Sequence, residues 1–378
     1  MAEDQSNNPQ SEQDRRRGLV AVPALAAFLA VWHQQEQEAI AAKVTAGLAL
    51  LWPILSYSNV DATTETWLHA AMLQINHGFE QSAAASAAFV QGTLWAHDPE
   101  AEVLPAIPAE FPAAEVETAL KVTGPVRIKQ LTPGPEADVM AVAEHQSTGA
   151  GVTRALDGGR QQVIAQVEAM AARQAEPEPQ VEAPTPVVPE GSTPAEQAEA
   201  PKAGPTIVED LTRADELAQR RKQRRAIGYA RFTDNKPCYF CAMLASLGAF
   251  FLSKDAFKAS DKKFTGPGTA KVHDHCRCSL RPVFSKKDDM DPRAKNFLKQ
   301  WGEAQKKRKT GETDVNAFRR EYVQPPDYQL ADVLSVDERR NAIEAARSNR
   351  DEFIRRGLGD DSPQVKYWSD ALRNLEAV

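Results

Sequence analysis

The chain has 378 residues, 42% hydrophobic and 26% charged, near the globular average and enough for two or three domains that each bury an apolar core. Aromatic residues make up only 7% and alanine is abundant, which favours helices over sheet and predicts a mainly α protein. The net charge of -7 is segregated: Met1 to Ala218 holds 12 Lys and Arg against 30 Asp and Glu, Gln219 to Thr310 holds 23 against 8, and Gly311 to Val378 holds 10 against 14. A basic middle between acidic ends is an electrostatic footprint for a polyanion or an acidic protein surface, and is otherwise a solvated face.

Residues 1–18 are polar and are expected to be disordered. Gly18 to Trp32 follows Arg15, Arg16 and Arg17 in the outline of a secretory signal. The segment before the arginines is long and acid-bearing, however, and the apolar run is shorter than the roughly 20 residues that cross a bilayer. Leu19, Val22, Leu25, Phe28, Leu29 and Trp32 recur at helical spacing, which predicts a helix packed on partners and no membrane association.

Two long helical patterns follow, Val20 to Leu51 and Asp61 to Thr93, interrupted at Pro53 and expected to form an antiparallel pair. Trp32, Trp52, Trp67 and Trp95 are read as core or interface aromatics, and His69 and His77 as surface or packing histidines. Dense prolines from Pro99 to Pro135 predict an extended connection with one short strand or helix at most. Glu136 to Gln174 reads as another helix, with breaks allowed at Gly149 to Gly151 or at Gly158 and Gly159. Residues 19–174 thus form a helical region.

Residues 175–205 are rich in Pro, Glu and Ala and lack aromatics, so they read as a disordered, semi-extended linker and as the clearest domain boundary. Asp210 to Arg231 reads as a helix carrying the basic run Arg220, Arg221, Lys222, Arg224 and Arg225, the candidate phosphate contacts for DNA. A small α+β cysteine module is placed within residues 206–286. Residues 287–378 form a helical C-terminal region, with helices predicted at Asp291 to Lys309, Asp314 to Tyr322, Val336 to Arg356 and Ser362 to Leu375.

All four cysteines lie in the module, as Cys238-Tyr-Phe-Cys241 and His273-Asp-His-Cys276-Arg-Cys278. C-x-x-C spacing lets a tight turn aim two sulfurs at one cation, and Pro237 favours that turn. The second half offers more donors than one tetrahedral ion uses. Cys238, Cys241, His273 and Cys278 are the favoured set, with Cys276 next and His275 last. Two thiolate pairs select structural Zn(2+) on softness and geometry, and the site would staple the ends of a basic loop. Two disulfides or unligated buried thiols are the plainer readings.

The catalytic patterns fail. There is no H-E-x-x-H and no G-x-S-x-G, and Gly266 to Lys271 lacks P-loop spacing. A cysteine nucleophile beside His273 is less expected than a cysteine ligand. No catalytic residue and no small-molecule substrate are assigned.

With these residues in view, the module resembles the head-morphogenesis, or MuF-like, minor capsid proteins of tailed phages, most closely those of actinobacterial phages. The matching text is Ala226 to Asp234, Lys236 to Gly248, His273 to Cys278 within Val272-His-Asp-His-Cys-Arg-Cys, and the closing Arg281-Pro-Val-Phe. The resemblance implies a virion component of few copies, made in the host cytoplasm, lying inside the virion and associated with portal and capsid proteins and with packaged DNA. It also implies that Cys238, Cys241, His273, Cys276 and Cys278 are the signature donors and that residues 19–174 dock on portal or capsid. Related phage proteins are often labelled capsid maturation proteases, the alternative function. This chain has no recognisable triad or metalloprotease motif for it.

Overall fold

The computed structural model describes residues 9–98, 101–105, 107–172, 226–248, 276–284, 290–326 and 334–377, with side chains from residue 24 onward. Helix α1 (Pro9–Leu51) starts inside the stretch expected to be disordered. It ends at a 3-10 turn, Trp52–Ile54, where Pro53 sits in the first turn and has no N–H to continue the α ladder. The chain then reverses into α2 (Val60–His97). The two helices run antiparallel, since His33 meets Ser86 and Gln37 meets Ser82 while Val44 lies against Gly78.

The proline-rich connection folds further than its sequence predicts. It holds two short helices, α3 (Ala113–Thr123) and α4 (Pro125–Leu131), in place of an extended segment with one element at most. The prolines mark the starts: Pro112 is the N-cap of α3 and Pro125 opens α4, where a missing N–H costs nothing. Val116, Leu120 and Ile128 are buried, so tertiary packing stabilises helices this short.

Helix α5 (Glu136–Ala172) is continuous through both glycine groups, where the sequence allowed a break. The glycines serve close approach to α1 and α2. A Cβ on Gly158 would fall 2.2 Å from the Phe79 carbonyl oxygen, and one on Gly159 would fall 2.5 Å from Ser86 Oγ. From the other side, a Cβ on Gly78 would lie 2.5 Å from Val44 Cγ2 and 3.1 Å from Ala155 Cβ. The dispersion gained at that distance offsets the roughly 1 kcal/mol that each helical glycine costs.

Beyond residue 225, strand β1 (Gly228–Phe232) pairs antiparallel with β2 (Ser279–Val283), placing Arg231 opposite Leu280. The helix expected to run through Arg231 is therefore a strand at its end, because Tyr229, Ala230 and Phe232 are all buried in a two-stranded ribbon. Asp210 to Arg225 lies outside the described residues. Between the strands comes α6 (Tyr239–Ser246). The C-terminal helices α7 (Pro292–Lys306), α8 (Asp314–Glu321), α9 (Val336–Arg355) and α10 (Pro363–Glu376) fall close to their predicted places. Asp291, Thr313, Ser335 and Ser362 cap them, and Ser335 with Glu338 forms a full capping box.

Three apolar clusters organise these elements. One combines Leu25, Phe28, Val90, Trp95 and Val163 of α1, α2 and α5 with Tyr229 and Leu280 of the ribbon and Phe353 and Trp368 of α9 and α10. A second, at the other end of the long helices, holds Val44, Trp67, Ile75, Leu120 and Ile128. The third joins Phe240 and Leu244 of α6 to Phe297 of α7 and Phe318 of α8.

The first cluster takes side chains from both flanks of residues 175–205. The apolar run with a signal-like outline places Leu25, Phe28 and Leu29 fully inside this cluster. Among the described residues no helix is long and apolar enough to cross a membrane. Trp52, Trp67 and Trp95 are buried and Trp32 is half-buried, in keeping with core or interface aromatics, while His69 and His77 are exposed.

Candidate metal centre

The two cysteine pairs reach one point from different directions. Cys238 is the N-cap of α6, and its Sγ accepts a hydrogen bond from the Cys241 amide at 3.4 Å, the turn that C-x-x-C spacing favours. Cys241 is thereby carried on the first turn of α6, with Phe240, Met243 and Leu244 anchoring that helix in its own apolar cluster. Cys276 and Cys278 lie on the extended segment that leads into β2, two residues apart, so their side chains share a face. The sulfurs of Cys241, Cys276 and Cys278 all lie within 4.8 Å of one another, and each of the three residues is 2% exposed or less. Cys238 packs at their edge, half-buried.

These thiols act on one another as donors and acceptors. Cys241 and Cys276 Sγ are 3.7 Å apart. The Cys276 thiol is held well below its usual range by hydrogen bonds from Cys241 and then Cys278, with the cations of Arg160 and Arg231 adding to the effect. Cys241 is pushed up, chiefly as the donor to Cys238 and Cys276. A group in which the Cys276 thiol is held low, with two more sulfurs within 4.8 Å, is suited to a cation that replaces the remaining protons. Cys241, Cys276 and Cys278 therefore lie close enough to hold a metal ion.

What fixes the second pair is a polar belt across the long helices, between the first two apolar clusters. Arg160 of α5 is 4% exposed; its Nε donates to the Cys278 carbonyl at 3.0 Å and its Nη2 to the Cys276 carbonyl at 2.9 Å. Its Nη1 pairs with Asp157 Oδ1 at 2.7 Å. From α1, Gln34 Nε2 donates to the Arg277 carbonyl at 2.9 Å, while Gln34 Oε1 accepts from the Ser279 hydroxyl at 2.7 Å and its amide at 3.2 Å. The carbonyls of residues 276, 277 and 278 are thus all satisfied by side chains of the helical body, as buried backbone groups must be.

The belt continues inward. Ser82 Oγ donates to Gln37 Oε1 at 2.6 Å, and the Gly159 amide donates to Ser82 Oγ at 3.0 Å. His33 Nε2 lies 2.9 Å from Ser86 Oγ and 3.1 Å from Gln37 Nε2, its ring stacked on Phe89 with centroids 4.3 Å apart. Burial pushes its pKa down to about 3, so it stays neutral and accepts from Gln37.

On the other side of the cysteines stands Arg231 of β1, 1% exposed, with Nη1 3.6 Å from Cys276 Sγ and 3.8 Å from Cys241 Sγ. Asp234 follows β1; burial and then the Cys276 charge raise its pKa to about 6. Tyr322 donates to the Pro237 carbonyl at 2.8 Å and ties the C-x-x-C turn to the end of α8.

Of the residues singled out in the sequence, Cys241, Cys276 and Cys278 come together with Cys238 at their edge. Cys276, ranked there behind His273, sits at the centre of the contacts. His273, His275 and the basic run Arg220 to Arg225 lie outside the described residues. Sequence reading missed Gln34, Asp157, Arg160 and Arg231. Polar residues in amphipathic helices read as solvated, and only their convergence on residues 276–279 distinguishes these.

With the fold and this geometry established, the relationship of the chain is direct. The family model described as VG15 protein matches residues 29–304, and the chain belongs to that family, a family of phage proteins. The match starts within α1 and ends within α7, so it covers the long helices, the ribbon and all four cysteines. No curated protein matches the chain, and no solved structure does.

Replacing Arg160 by Met frees two buried carbonyls and leaves Asp157 without its closest cation, a loss of about 3–5 kcal/mol by analogy with broken buried ion pairs. The midpoint of denaturant unfolding of the full chain is expected to fall accordingly. An unchanged midpoint would show that the clamp contributes nothing.

Proposed function

We propose that this phage protein is a minor structural component of the head, acting in procapsid assembly or head morphogenesis, with its helical body docked on portal or inner capsid proteins. One observation carries the reading: family membership extends over the helical body and the cysteine site together, and the two are packed as one unit through Arg160 and Gln34. Such a body offers long helical surfaces to neighbouring subunits. The motif resemblance to MuF-like head proteins supports the same assignment, and with it goes a proposed location inside the virion after synthesis in the host cytoplasm.

In this reading the cysteines hold one structural zinc ion. Cys241, Cys276 and Cys278 supply three thiolates, and Cys238 or His273 supplies the fourth donor. Soft sulfur donors in a buried cluster select zinc, and a filled shell gives folding energy in place of chemistry. Elemental analysis of the purified chain is expected to return about one zinc per chain; metal-free folded protein with four reduced thiols would contradict it.

DNA is the further partner proposed. The basic middle of the chain includes Lys295, Lys299 and Lys306 of α7, all exposed, with Lys295 and Lys299 one turn apart on the same helix face. Binding of the full chain to duplex DNA, followed by fluorescence anisotropy, should weaken steeply as salt rises and weaken again on changing the three lysines to Glu. Salt-independent or absent binding would remove DNA as a partner and leave docking standing.

The docking itself is tested by co-expression with the portal, scaffold and major capsid proteins of the same phage. The chain is expected to co-sediment with procapsids and to appear by electron microscopy beside the portal or on the inner shell, with its partners uncut. Particles that form without it, or partners cleaved only in its presence, would overturn the structural assignment, the second outcome in favour of a maturation protease.

A further inference from the structure

Helix α10 lies in a groove whose apolar and polar parts fit it unequally. Tyr367 inserts between Trp32 of α1 and Trp95 of α2, with ring centroids 5.4 Å and 6.5 Å away, and Trp95 in turn meets Phe353 of α9 at 5.1 Å. The Tyr367 ring lies over Gly92, where a Cβ would fall 2.1 Å from Tyr367 Cζ. Val365, Trp368, Leu372 and Leu375, spaced as one face of a helix, are buried in the same groove. This is an amphipathic helix laid between helices, a mode that also serves recognition between chains.

The polar groups are poorly matched. The Gln364 Oε1, Tyr367 Oη and Trp368 Nε1 atoms, at i, i+3 and i+4 on the same side of α10, are buried without a hydrogen-bond partner among the described residues. Each weakens docking, because water would bond it once the helix lifts. On the receiving side, Glu36 of α1 is half-buried and forms no hydrogen bond or ion pair among the described residues. The charge that acts on it from α10 is the like charge of Asp370; burial and then Asp370 raise its pKa to about 7. Arg373 of α10 pairs with Asp370 at 3.1 Å and makes no ion pair with Glu36. Trp32, Glu36, Gly92 and Trp95 all lie within the family match, whereas α10 lies beyond its end at residue 304.

We propose that this groove is the docking site for an amphipathic helix of another head protein, one with Lys or Arg where Asp370 stands, and that α10 is the cover which that helix displaces. This rests on the docking reading above and names the groove through which docking occurs. The partner helix keeps the apolar spacing that α10 displays and supplies the cation that Glu36 lacks.

The test uses the full-length chain and two fluorescein-labelled synthetic peptides of residues 361–377, one native and one carrying D370K, with binding read by anisotropy. Y367A in the full chain loosens its own cover and leaves α1 and α2 intact. The D370K peptide is expected to bind the Y367A chain at least about tenfold tighter than the wild-type chain, because the groove is open more of the time. On the Y367A chain it should bind about threefold tighter than the native peptide, a preference that adding E36Q removes. Adding G92A should abolish binding of both peptides. Absent binding, binding that survives G92A, or a preference that survives E36Q overturns the proposal. Equal binding of both peptides by a Y367A chain that dimerises also overturns it, assigning the groove to the α10 of a second copy.

D370K in the full chain gives a comparison that does not require a loosened variant. It places a cation beside Glu36 in the chain's own cover, so amide exchange in α10 is expected to slow and co-sedimentation with procapsids to fall below that of the wild type. Exchange that is unchanged or faster overturns the proposal. Wild-type chain absent from procapsids sinks the docking reading itself and leaves the groove to be decided by the peptides, whereas equal incorporation of wild type and D370K sinks only the groove.

Discussion

The segment from Cys276 to Ser279 must be buried to bring its sulfurs to Cys241, and burying it strands three carbonyls and an amide in succession. Arg160 and Gln34 answer that constraint from two different helices, the first bonding the carbonyls of residues 276 and 278, the second bonding the carbonyl of 277 and both donors of Ser279. Much of the arrangement depends on this clamp. Without those side chains the segment would carry orphaned backbone groups into a dry interior, at a penalty comparable to several lost hydrogen bonds.

The clamp has to be delivered by helices in a fixed register, and the belt behind it supplies that register. Gln37 and Ser82 bond each other between α1 and α2, Ser82 accepts from the Gly159 amide of α5, and His33 fills the remaining space as a neutral ring. Sliding any one helix by a turn would leave several of these groups unpaired, so a polar layer between two apolar clusters selects one alignment where apolar contacts alone would tolerate several. The absent side chains of Gly158 and Gly159 let α5 come near enough for the layer to close. A family match that runs from the long helices through the cysteines fits a unit of this kind, in which body and site do not pack separately.

How much of this is legible in the sequence follows from the signals that each part leaves. Apolar spacing in the long helices, Pro53 at the turn, and the N-caps Asp291, Thr313, Ser335 and Ser362 are local, and they place most helices closely. The cysteine spacing likewise marks a site, since few other uses demand C-x-x-C followed by C-x-C. Long-range choices leave weaker marks. Gly228 to Phe232 continues a helical pattern and becomes a strand only because Ser279 to Val283 lies beside it. The prolines near Pro112 and Pro125 signal breaks, and a break is also where a helix starts. Gln34 and Arg160 carry no motif, because their bonds to residues 276–279 come from a juxtaposition across more than a hundred residues of chain.

If the cysteines hold the proposed metal, its binding and the order of the helical body are one event, joined through Arg160 and Gln34. Hydrogen exchange of the full chain, compared between zinc-loaded protein and protein treated with a chelator under reducing conditions, tests it most directly. Stripping the metal is expected to lower protection in β2 and also in the turns of α5 around Arg160 and of α1 around Gln34. Loss of protection confined to the cysteine segments, with α1 and α5 unchanged, would contradict it.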